Sequence, residues 1–69
     1  MEYLVILKKV RGKWAAHSPD IPGCKVTGST PQETLLGYRK ALRVHLKGLA
    51  EDGQPFPEST TRAQYVHVS

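Results

Sequence analysis

The chain has 69 residues, ten of them Lys or Arg against six Asp or Glu, which gives a formal charge of +4. That length supports one domain, taken as residues 1–69, and a domain so small buries only about 60% of the surface its unfolded chain exposes. The lone cysteine, Cys24, excludes an intrachain disulfide or a thiolate-built zinc cluster and fits a reducing, cytoplasmic setting. The longest apolar run, Tyr3 to Leu7, falls far short of the roughly 20 residues of a membrane span. Glu2 and the lack of a leading basic region argue against a secretory signal.

Tyr3 to Val10 is rich in branched and aromatic residues without clean alternation, which predicts a first strand covered on both faces. Arg11-Gly12-Lys13 reads as a short turn and Trp14 to His17 as the returning strand of a hairpin. Pro19 restricts Ser18 before it, and Pro22-Gly23 has the order of a type II turn, so Ser18 to Gly23 is expected to be a stiff, extended loop. Cys24 to Thr27 is then a short third strand, ended by Gly28.

Thr30-Pro31-Gln32-Glu33 is a capping box with proline at the first helical position. From Pro31 to about Asp52, leucines at 35, 42, 46 and 49, with Tyr38 and His45 between them, predict one apolar helical stripe. Gly53 supplies the stop, and Pro55 prevents continuation. Gly37 inside the helix costs roughly 1 kcal/mol relative to alanine unless something packs closely against it. Gly53 to Thr61 reads as a loop. Ala63 to Ser69 reads as a closing strand, with Tyr65 and His67 on one face and Val66 and Val68 on the other. The fold expected is therefore α+β, an antiparallel-rich β-β-β-α-β sheet with one long helix on one face. A single helix leaves the other face open, which predicts a homodimer or higher oligomer.

The residues offer little chemistry. A two-metal nuclease needs converging carboxylates, but Glu2 opens a strand, Glu33 serves the cap, and Glu51, Asp52 and Glu58 gather past the helix. Only Asp20, on the loop, is free for a functional role, against the simpler reading of a turn-stabilising aspartate. His17, His45, His67 and Cys24 show no short ligand spacing, so no metal is expected. A Cys24–His17 nucleophilic pair has nothing beside it in sequence that would lower the thiol pKa. No cofactor fingerprint is present and no catalytic residue is assigned. The chain is not expected to be an enzyme. Arg39, Arg43 and Lys47, with Lys40 alongside, form a basic helix stripe, while Lys8, Lys9, Arg11 and Lys13 surround the first turn. These are either solvated faces or a phosphate-contacting surface.

Trp14-Ala15, Pro19-Asp20-Ile21-Pro22-Gly23-Cys24, Gly28-Ser29-Thr30-Pro31-Gln32-Glu33, Arg39-Lys40-Ala41-Leu42, Leu46 and Glu51 to Pro57 together resemble the HicB-like antitoxin domain. The resemblance is strongest over residues 3–57. It implies a partial ribonuclease H-like fold without the nuclease carboxylates. It also implies a non-catalytic role, in which the domain binds a small HicA-type RNA-cleaving toxin and obstructs its active site. Asp20, Ile21 and Trp14 are the partner-binding candidates. Complete relatives append a DNA-binding segment after this domain; with the chain ending at Ser69, direct DNA binding is not expected. Ser29, Thr34 and the basic helix flank depart from the usual family pattern. The readings that follow are a toxin-masking antitoxin, a small RNA-binding module using Arg39, Arg43, Lys47, Lys9, Arg11 and Lys13, and a structural oligomer with an unrelated protein partner. On the first, Asp20→Ala with Ile21→Ala is expected to weaken a protein complex and leave melting nearly unchanged.

Overall fold

In the computed structural model, which describes residues 1–69, three antiparallel strands in the order β1-β2-β3 carry one long helix. β1 spans Ile6–Val10, β2 Lys13–Ser18, β3 Ile21–Gly28 and α1 Pro31–Glu51. The α+β class and the first four elements follow the sequence expectation. The first hairpin turns through Arg11 at φ 50° and Gly12 at φ 79°. Two successive left-handed residues are what a tight hairpin needs to match the twist of its strands.

Strand register sorts the side chains. Leu7, Ala16 and Val26 lie across from one another on the helix side, whereas Ile6, His17 and Lys25, and next to them Lys8, Ala15 and Thr27, share the opposite face. Ala16, Ile21, Cys24 and Tyr38 form the buried core, with Tyr3, Val5, Leu7, Val26, Ala41 and Leu42 packed around it. The first strand is thus covered on one face, not both. Ile6 and Val10 stay partly exposed on the other, because there is only one helix to cover two faces.

The β2–β3 connection also differs from the expected loop. Pro19 and Asp20 make a tight turn, and Pro22-Gly23 lies inside β3. Ser18 pairs with Ile21 but His17 pairs with Lys25, so Pro22, Gly23 and Cys24 bulge from the ladder. Proline donates no hydrogen bond and is tolerated at such an irregular edge. Gly23 keeps the positive φ that the sequence demanded, 81°, and uses it within the bulge.

Helix α1 starts where the cap is written. Thr30 Oγ1 accepts a hydrogen bond from the Glu33 N–H at 3.1 Å, and the Thr34 hydroxyl donates to the Thr30 carbonyl at 2.6 Å. At the other end the Gly53 N–H donates to Ala50 O at 3.1 Å and the Gln54 N–H to Leu49 O at 2.8 Å. With Gly53 at φ 67° this is a Schellman stop. The buried stripe keeps Tyr38, Leu42, His45, Leu46 and Leu49 of the predicted one, but at its start Thr34 is buried in place of Leu35, which is 46% exposed. Two glycines explain the close seating of α1. A Cβ on Gly37 would stand 3.3 Å from Val26 Cγ1, and one on Gly28 would overlap Thr34 Oγ1.

The predicted closing strand is not formed. Residues 54–69 contain no regular element, so the order is β-β-β-α, and Tyr65, Val66 and Val68 are exposed. The reason is the route of the chain after the helix. The Tyr3 hydroxyl donates to Pro57 O, and Asp20 then holds Thr60 and Thr61. The segment is therefore drawn across the end of the sheet toward the β2–β3 turn, not along β1.

Candidate partner-binding surface

Asp20 sits on the β2–β3 turn with its whole carboxylate engaged. Oδ2 accepts from the N–H groups of Thr60 and Thr61, each at 3.0 Å. Oδ1 accepts from their hydroxyls, at 3.1 and 2.8 Å. The Thr61 hydroxyl, then the Thr61 N–H, and then the two Thr60 donors hold the carboxyl below its ordinary pKa, outweighing desolvation. The turn-stabilising role considered for this residue extends to a contact 40 residues away in sequence. Nothing in the spacing of Thr60 and Thr61 announced it.

Because the folded pKa is depressed, this contact contributes above the ordinary carboxylate range near pH 4 and is lost as pH falls through the lowered value. Asp20→Asn, which leaves one acceptor oxygen where four donors converge, should release the segment at neutral pH. Amide exchange at Thr60 and Thr61 should quicken while amides inside α1 stay protected. Unchanged exchange at both threonines would show that the carboxylate does not hold them.

Ile21, the neighbouring candidate, is 1% exposed and belongs to the core. Trp14 is half-buried on β2 opposite Gly28. Around the turn, His17, Pro19, Pro22 and Lys25 rim a shallow depression of about 440 Å³, with Ser18 and Cys24 below. Ser18 Oγ and Tyr38 OH are buried without a hydrogen-bond partner. Burial first, and then the adjacent Cys24 thiol, push the Tyr38 phenol up to about 12. Cys24 is a buried free thiol.

The basic candidates are divided by the fold. Arg39, Arg43 and Lys47 are exposed on α1, with Arg39 beside the exposed Leu35 and Leu36. Arg11 and Lys13 line an open hollow of about 500 Å³ with Val10, Trp14, Lys25 and Thr27. Register places Lys13 and Lys25 on the sheet face away from α1, so the two basic groups do not make one surface. Lys9 pairs with Trp14 and is exposed. Lys25, which sequence reading left out, joins the hollow because it lies opposite His17 across the sheet. No three His, Cys, Asp or Glu side chains are grouped to hold a metal ion. No helix is long and apolar enough to cross a membrane.

Comparison with known proteins gives this surface its context. The family model described as HicB_like antitoxin of bacterial toxin-antitoxin system matches residues 3–68. The chain is 33% identical over 67 residues to a 14.9 kDa protein from the rep-hol intergenic region of Haemophilus phage HP1, covering 97% of this chain but 50% of that one. It is 29% identical over 69 residues to a UPF0150 protein of Thermoplasma acidophilum, covering 99% of this chain and 100% of that one. The chain thus spans half the phage protein's length. No solved structure matches it.

Proposed function

The chain belongs to the HicB-like antitoxin family, and from that premise we propose that it binds and masks a small HicA-type RNA-cleaving toxin without catalysis of its own. The observation that carries this reading is the family match over residues 3–68, nearly the whole chain. The partial ribonuclease H-like relation belongs to the same proposal, as does cytoplasmic residence, which the free thiol of Cys24 supports.

Masking needs a rigid surface rather than a reactive group. The β2–β3 turn supplies one: it is braced by the four hydrogen bonds at Asp20, by the core residue Ile21 beneath and by the fixed φ of two prolines. A pre-ordered surface loses little conformational entropy on binding. In this reading Asp20 and the exposed prolines meet the toxin, Ile21 holds the turn from below, and Trp14 marks the other end of β2.

The test is a tagged pull-down with and without nuclease, at low and high salt. The proposal expects a small RNA-cleaving protein to stay bound after nuclease and to lose its growth arrest on co-expression. The basic hollow of Arg11, Lys13 and Lys25 favours one second reading, RNA binding. In that case RNA alone co-purifies and is lost at high salt, because phosphate contacts release counterions; that result would displace the antitoxin reading.

A further inference from the structure

The segment after Thr61 is patterned as a strand yet has no strand to pair with. Residues 62–69 are exposed throughout, and Ala63 to Ser69 alternate Tyr65 and His67 against Val66 and Val68 with no formal charge when the histidine is neutral. An apolar, β-prone stretch left this open is an uncommon feature of a small domain.

The sheet has two free edges, β1 and β3. The tail leaves its anchor at Asp20, beside the start of β3, but that edge is broken there by the Pro22-Gly23-Cys24 bulge. A proline and a bulge are devices that keep an edge from accepting another strand. β1 has neither, and its ladder to β2 is regular from Ile6 to Val10. In its own chain the tail pairs with no strand, β1 included. The contact from Tyr3 to Pro57 fixes the chain near β1 first, and the clamp on Thr60 and Thr61 then carries it away across the sheet end.

We propose that residues 63–69 add as a fourth strand to the β1 edge of a second copy of this chain, so that two copies exchange tails. Backbone pairing on that edge satisfies N–H and C=O groups that β1 otherwise presents unpaired. Alternation lets one face of the tail continue the Leu7 side and the other continue Ile6 and Val10, so the apolar residues of β1 gain neighbours on both faces. No Lys or Arg of residues 63–69 is set against Lys8 and Lys9. This interface uses none of Asp20, Ile21 or Trp14 for contact, although the Asp20 clamp sets where the tail starts.

Light scattering on the purified full chain, over a wide range of concentration, should give twice the chain mass. Val66→Pro removes a ladder donor and should give a monomer with helix content and melting of the core kept, whereas Val66→Thr should remain dimeric. In mixed samples of labelled and unlabelled chains, isotope-filtered contacts should join residues 64–68 of one copy to residues 6–10 of the other. A concentration-independent monomer, a dimer unaffected by Val66→Pro, or tail contacts confined to one copy would each overturn the proposal.

Discussion

Ile21→Ala should lower unfolding free energy by about 2–5 kcal/mol, the usual range for truncating a fully buried aliphatic side chain. At 1% exposure Ile21 is among the largest fully enclosed side chains of a core that contains only Ala16, Cys24 and Tyr38 besides it. Domains of this size have total stabilities near the low end of about 5–15 kcal/mol, so the variant should keep only a fraction of the parent's stability and unfold at a much lower urea concentration. This reverses the expectation that a paired Asp20→Ala and Ile21→Ala change leaves melting nearly unaltered, since a residue placed on a loop by sequence proves to be the first residue of β3. Urea unfolding followed by circular dichroism measures it, with Ile21→Val as the control at about 0.5–1.5 kcal/mol. A midpoint for Ile21→Ala equal to that of the parent would show that the site collapses without loss.

Tyr38 should separate packing from polarity. Tyr38→Ala removes the largest buried side chain and should cost about 3–5 kcal/mol. Tyr38→Phe keeps the ring and removes a hydroxyl that has no hydrogen-bond partner, so it should be neutral or stabilising by up to about 1 kcal/mol. The same hydroxyl gives an alkaline signature. Its folded pKa of about 12 lies above the ordinary tyrosine value near 10, so the folded state favours the neutral phenol. The associated stability is fully present below pH 10 and is lost as pH rises from 10 through 12, by about 2–3 kcal/mol in all. Denaturant midpoints across that window should fall for the parent and fall less for Tyr38→Phe. Parallel curves for the two proteins would place the alkaline loss elsewhere.

The elements whose signals are local were readable from the residues. Thr30-Pro31-Gln32-Glu33 and Gly53 fix the two ends of α1 through hydrogen bonds within a few residues, and the first hairpin follows from Arg11-Gly12 between two apolar runs. The need for Gly23 at positive φ was also legible, but ladder pairing of Ser18 with Ile21 placed Pro22 and Gly23 inside a bulged strand and not in an extended loop. Leu35 was counted into the apolar stripe on spacing alone. At the start of the helix the packing is set by where Gly37 and Gly28 let α1 approach β3, and that buries Thr34 in place of Leu35 beside the predicted Tyr38.

The candidate surface was less legible than the fold. Asp20 was singled out, but its partners Thr60 and Thr61 lie 40 and 41 residues away and carry no spacing signal. The basic residues were visible as two runs, yet only strand register shows that Arg11, Lys13 and Lys25 share a hollow on the face opposite α1. Ala63 to Ser69 carried a β pattern but forms no strand in its own chain, since pairing depends on where the preceding anchors lead the backbone. The helix caps and the first hairpin turn were determined by the sequence itself, because each is satisfied by neighbours a few residues away. Tertiary structure alone decided that Thr34 and not Leu35 is buried, that Ile21 is core, that Asp20 clamps the tail and that the tail leaves the sheet, because those outcomes depend on contacts between residues far apart along the chain.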